Sequence, residues 1–199
     1  MEDDIYRTIA APSEGIFKSK GSRFLSFAFP VSHKESIKEQ IERLKAGYHD
    51  ARHHCYAYRL GTRGENFRSS DDGEPTGTAG KPILGQIRSK DLTNTLVVVV
   101  RYFGGTLLGT SGLIEAYKLA AADALSHAPI VEKTEDVQFS MQFEYIRTNE
   151  VMKLIHEVKA TILKQQYTES GFMEVCIRRL KAAELREKLS HIKGLTITE

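Results

Sequence analysis

Val137-Gln138-Phe139-Ser140-Met141-Gln142-Phe143-Glu144 decides the architecture of the last third of the chain. Its apolar residues occupy every second position, the period of a strand with one buried face. Downstream, Val151, Leu154, Ile155 and Val158 fall at i, i+3, i+4 and i+7, the stripe of an amphipathic helix. Residues 161–168 are rich in strand formers, and Glu169-Ser170-Gly171 reads as a hairpin turn. The returning strand, 172–178, puts Met173, Val175 and Ile177 on one face. Leu185, Leu189 and Ile192 mark a second helix, stopped by Gly194, and 195–198 suffice for a closing edge strand. The order βαββαβ is that of a ferredoxin-like split unit over 136–199.

Upstream, Pro129 and the charged run 132–136 mark a boundary and leave 1–133 as a larger first domain. It reads as opening with a strand over 23–29, ended by Pro30. Ser32 and Glu35 have capping-box spacing before a helix lined by Ile37, Ile41 and Leu44. Another strand is expected over 52–59. Residues 61–85, with six glycines, Pro75 and Pro82, read as one long turn-rich loop. Leu96-Val97-Val98-Val99-Val100 is a continuous apolar run, the mark of a fully buried strand. It leads through Gly104-Gly105 and Gly109-Thr110-Ser111-Gly112 into a helix over 113–126.

The fold class is therefore α+β, in two domains. With 199 residues, 41% of them hydrophobic, the chain can build two cores. No apolar run approaches the ~20 residues that span a bilayer, and Met1-Glu2-Asp3-Asp4 lacks the order of a signal peptide. Cys55 and Cys176 form no disulfide framework, so a soluble cytoplasmic protein is expected, with no membrane role. A net charge of +2 is small for a protein that grips nucleic acid by bulk charge. Polyanion binding would need a local patch.

The strongest candidate for such a patch is the buried strand, glycine loop and helix. Helix N-termini leave amides unpaired, and glycines let a phosphate approach the backbone. Arg101 and Tyr102 at the strand's end would add charge and stacking surface. The same glycines also serve plain chain turning and close helix packing, and both readings stand. No Walker-type Gly-Lys-Ser/Thr ending is present. Asp71, Asp72 and Glu74 could hold a divalent metal or supply a general base, though Asp and Gly are also what turns are made of. In Arg52-His53-His54-Cys55-Tyr56, strand alternation puts only His53 and Cys55 on a shared side, which argues against zinc and thiol catalysis. Histidine and arginine beside tyrosines would suit a polyanion better. Lys18-Ser19-Lys20-Gly21-Ser22-Arg23 reads as a solvated basic loop unless the fold brings it beside the glycine loop.

Four blocks carry a family resemblance: Lys20-Gly21-Ser22-Arg23-Phe24; His53-His54-Cys55-Tyr56-Ala57-Tyr58-Arg59; Ser70-Asp71-Asp72-Gly73-Glu74-Pro75 with Gly77-Thr78-Ala79-Gly80; and Arg101-Tyr102-Phe103-Gly104-Gly105. In this order they resemble the IMPACT/YigZ family, and the second domain is similar to the extra C-terminal domain of its bacterial members. The resemblance implies a ribosomal protein S5 domain 2-like fold for 1–133. For 136–199 it implies a ferredoxin-like domain similar to domain V of elongation factor G. It also implies a translation-linked regulatory protein that binds RNA, nucleic acid or the ribosome, and it does not imply an enzyme. Leu107 and Glu115 stand where the family pattern is often basic.

The expected binding surface thus comprises His53, His54, Lys81, Arg101, Tyr102, Gly104, Gly105, Gly109 and Gly112, with no catalytic residue, metal or cofactor. Two alternatives come from other classes. One is a phosphate- or nucleotide-dependent enzyme using the glycine loop with Asp71, Asp72 or Glu74. The other is a protein–protein interaction module.

Overall fold

The computed structural model describes residues 4–198. The elements are β1 (Ile5–Ile9), β2 (Ser13–Ser19), β3 (Ser22–Pro30), α1 (Lys34–Gly47), β4 (His53–Leu60), β5 (Asn66–Ser70), α2 (Gly80–Ser89), β6 (Thr95–Tyr102) and α3 (Gly109–His127). There follow β7 (Ile130–Thr134), β8 (Asp136–Glu144), α4 (Thr148–Val158), β9 (Thr161–Tyr167), β10 (Ser170–Arg178), α5 (Arg179–Ser190) and β11 (Thr196–Thr198). Residues 6–133 form one compact unit, and 134–198 with 4–5 form another. Among the described residues no helix is long and apolar enough to cross a membrane.

The larger unit is built on a five-stranded sheet in the order β2-β3-β6-β4-β5, with every neighbouring pair antiparallel. Central β6 is buried on both faces from Thr95 to Arg101, as its unbroken apolar run requires. On one face Phe24, Cys55, Ala57, Val97 and Val99 meet α2 and the alanine-rich stripe of α3. On the other, Phe27, Phe29, Leu96 and Val98 meet Ile37 and Leu44 of α1. The connections β3–α1–β4 and β5–α2–β6 each join parallel strands across an intervening antiparallel one, and their helices cover opposite faces. The two crossovers therefore have opposite hands, one of them the rare left-handed sense.

Several expectations need correction here. Two strands, β1 and β2, precede the one expected to open the domain. The stretch 61–85 is not one loop, because β5 pairs with β4 and α2 starts at Gly80. Pro82 sits in the first turn of α2, where a missing amide hydrogen costs nothing. α1 is capped by His33, whose Nδ1 accepts from the Ser36 amide at 3.2 Å, and not by Ser32. α3 begins at Gly109, a turn earlier than expected. β7 occupies part of the segment read as a boundary.

The smaller unit has the strand order β11-β8-β10-β9, all antiparallel, the split βαββαβ arrangement. Phe139, Met141, Phe143, Met173, Val175 and Ile177 form its sheet face, covered by Val151 and Ile155 of α4 and Leu185 and Leu189 of α5. The β9–β10 hairpin turns one residue earlier than expected, since Ser170 already pairs with Glu144.

Candidate functional site

Antiparallel pairing brings all four motif blocks to one end of the five-stranded sheet. Arg23 of β3 lies opposite Tyr102 of β6, and Arg101 opposite His53 of β4. Tyr56 of β4 lies opposite Ser70, the last residue of β5. The β2–β3 turn, the segment 71–79 and the glycine loop 103–108 therefore emerge together.

Beneath that end lies a buried polar cluster. Arg101 donates from Nη1 to Glu74 Oε1 at 2.5 Å, and the Tyr117 hydroxyl donates to the same oxygen at 2.8 Å. The side chains of Arg101 and Glu74 are only 7% and 4% exposed, so the pair is desolvated. Arg101 packs over Phe24 and Phe103, and its Nε has no hydrogen-bond partner among the described residues. His53 Nε2 lies 3.9 Å from Glu74 Oε1. Cys55 donates from Sγ to the Asp71 carbonyl at 2.9 Å and lies 3.3 Å from the Tyr117 hydroxyl. Burial pushes the Cys55 thiol well above its usual range, so it is neutral and a poor nucleophile at pH 7. Burial likewise raises the Tyr117 phenol, with Cys55 and Glu74 adding to the effect.

The acidic residues of 71–74 are structural partners. Asp71 Oδ1 accepts from the amides of Ala79 (3.0 Å) and Gly80 (2.8 Å), and Oδ2 from Gly77 (2.8 Å). Burial would raise its pKa, but these three amides outweigh it and hold the carboxyl below its usual value. Asp71 thus starts α2, whose cap residue Ala79 has no side-chain bond to offer. Asp72 accepts from the His54 amide at 2.7 Å and lies 3.7 Å from Lys45 Nζ. Glu74 neutralises Arg101. Among the described residues no group of three or more His, Cys, Asp or Glu is placed to hold a metal.

The expected binding residues separate into two sets. Arg101 is turned inward and its charge is compensated, and His54 is buried on the opposite face of β4, with Nε2 3.2 Å from the Tyr48 carbonyl. His53 is held by the Asp72 carbonyl, 2.8 Å from Nδ1. The Tyr102 hydroxyl donates to Asp50 at 2.7 Å. These four shape the rim from within. Gly104, Gly105 and Gly109 are exposed, Gly112 is half-buried in the first turn of α3, and Lys81 is exposed at the start of α2. No side chain caps α3, so its first amides stay open.

Sequence reasoning undervalued the basic turn and missed Tyr117. A Cβ on Gly104 would lie 1.9 Å from the carbonyl carbon of Gly21, so the two loops touch backbone to backbone. The Gly104 amide also donates to Ser22 Oγ at 3.1 Å. Lys18, Lys20 and Arg23 thus stand beside the glycine loop, exposed and without an ion pair among the described residues. For Tyr117, the available signal was a single hydroxyl in the buried stripe Ala116, Ala120, Ala121, Ala124, where a phenol needs a partner.

Residues 20–125, which hold the rim apart from Lys18, match the Impact N-terminal domain. The chain belongs to the IMPACT family. It is 35% identical to IMPACT family member YigZ of Escherichia coli over 91% of this chain and 90% of that one. It is 29% identical to IMPACT family member YvyE of Bacillus subtilis, over 94% and 86%. The protein IMPACT homolog of Saccharomyces cerevisiae aligns with 45% of this IMPACT-family chain at 35% identity. A crystal structure described as that of a hypothetical protein has a TM-score of 0.73 at 32% identity, covering 98% of this chain and 97% of the other. The two-domain α+β fold is thus shared with a solved structure.

Proposed function

We propose that this IMPACT-family chain is a translation-linked binding protein that engages RNA phosphates at the end of its five-stranded sheet. The observation that carries the reading is the contact between Gly21 and Gly104. It sets three cations without an ion pair among the described residues, Lys18, Lys20 and Arg23 (the last over the Tyr102 ring), beside the glycine loop and the uncapped start of α3. Cations and open amides together suit phosphate oxygens, which take most contacts in nucleic-acid interfaces. Phe103, half exposed at 51%, adds a ring on which a base can stack. Arg101 acts through position, holding Glu74 and the Phe103 side of the loop.

The test is binding of a short single-stranded RNA over a salt series. Wild type should bind at micromolar or tighter concentration, and the triple substitution K18A/K20A/R23A should weaken binding by at least about tenfold. Equal binding by wild type and the triple variant, or none at low salt, would overturn the reading. Capture of a protein partner by nuclease-treated wild type and triple variant alike would move the function to the protein–protein class.

A further inference from the structure

We propose a second binding site, for a nucleoside phosphate, in the groove between α1 and strands β4–β5. It shares Tyr56 and Tyr58 with the second motif block but none of the rim cations Lys18, Lys20 and Arg23, and it does not depend on the RNA reading of that rim. One face of the sheet carries α2 and α3, whereas the other carries α1 alone. α1 packs on the core through Ile37 and Leu44, leaving a groove of about 450 Å³ along its flank. That volume lies within the range of about 300–1,000 Å³ typical of small-molecule sites.

The lining names the ligand's chemistry. Lys34, Lys38 and Lys45 stand at i, i+4 and i+11 and so share one flank of the helix. Arg68 of β5 faces Tyr58 of β4 across the pairing and completes four cations around the groove. Glu42 is the one acid among the lining residues, and it pairs with Lys38 at 3.8 Å. Lys45 is taken by Asp72. Lys34 and Arg68 have no carboxylate partner among the described residues. Such an excess of positive charge selects an anion, and Arg suits phosphate oxygens in particular.

Tyr56 and Tyr58 are half-buried in the groove, and neither hydroxyl has a hydrogen-bond partner among the described residues. A bare phosphate can take the cations and the phenol hydroxyls but leaves the ring faces and the neighbouring Ile37 and Ile41 unused, and an apolar ligand has no use for four cations. A ring that both stacks and hydrogen-bonds, joined to a phosphate, satisfies both sets. That chemistry is a nucleotide unit, either free or within a single strand.

Amide chemical shifts of the labelled full chain would be followed on titration with adenosine 5′-monophosphate, adenosine, inorganic phosphate and a short oligoadenylate. We expect the monophosphate to shift amides of α1, β4 and β5, and to bind at least about tenfold tighter than adenosine or phosphate. R68A combined with K34A should weaken it by about tenfold or more, the loss of charge-assisted phosphate contacts. Y58L should reduce monophosphate binding towards that of phosphate alone. The rim variant K18A/K20A/R23A should bind the monophosphate unchanged, which separates failure here from failure at the rim. Shifts of the same amides by oligoadenylate would mark the unit as part of a strand, and their absence would mark it as free nucleotide. Equal response to phosphate and monophosphate, shifts confined to the β2–β3 turn and glycine loop, or no response at millimolar nucleotide would overturn the site.

Discussion

Glu74 accepts from both Arg101 and Tyr117 in a place where none of the three is open to water. Removing one partner of a buried pair strands the other charge, which costs more than the pair contributes. Glu74→Ala should therefore destabilise the larger unit by about 3–5 kcal/mol, read as a lower denaturant midpoint. Arg101→Met alone should cost a similar amount, and the two together should cost less than their sum. An additive result would show that the two groups are not coupled. His54 gives a second test at this scale. Burial lowers its pKa from 6.5, against the opposing field of Asp72, with Lys45 and His53 adding to the lowering. Below that value the unfolded chain takes up a proton that the folded chain refuses, so stability falls with falling pH. Asp71 and Asp50, both held below their usual 3.8, keep their contribution until lower pH. Chemical denaturation between pH 7 and 5 should thus show a loss of stability that His54→Asn diminishes.

At the scale of elements, Asp71 starts a helix nine residues away through three amide contacts. Asp71→Ala should cost about 1–2 kcal/mol, the upper range for a lost cap, and raise hydrogen exchange first in the amides of 77–83. Gly104→Ala acts differently, because its methyl would meet the Gly21 backbone and force the two loops apart. It should lower RNA affinity even where the fold persists, whereas Asp71→Ala in its folded fraction should not. These contacts also explain what the sequence concealed. The period-2 runs of β8 and β10 and the apolar run of β6 were legible because each buries its residues by a local rule. β5 and α2 were not, since Arg68 is placed by pairing with Tyr58 and the cap of α2 precedes it by a whole loop. The same limit applies to the candidate site. The blocks themselves were readable, but Glu74 lies 27 residues from Arg101, and nothing local shows that one neutralises the other.

For the whole molecule, a net charge of +2 leaves little long-range attraction for a polyanion. Binding must then come from a small number of phosphate contacts, and the salt dependence counts them. For single strands each neutralised phosphate contributes about −0.7 to the slope of log K against log salt. Lys18, Lys20 and Arg23 acting together predict a slope of about −2 for the wild type. Each single alanine substitution should reduce its magnitude by about 0.7 while the preference among RNA sequences stays unchanged, since phosphates carry no base identity. Arg101→Met should leave the slope of the folded protein near its wild-type value, because the Arg101 charge is already matched by Glu74. A slope that dropped by a full contact in the Arg101 variant would place that guanidinium on the RNA and require the buried pair to open on binding. A slope much steeper than about −2 would mean that cations outside the rim, those of the α1 groove among them, also meet the strand.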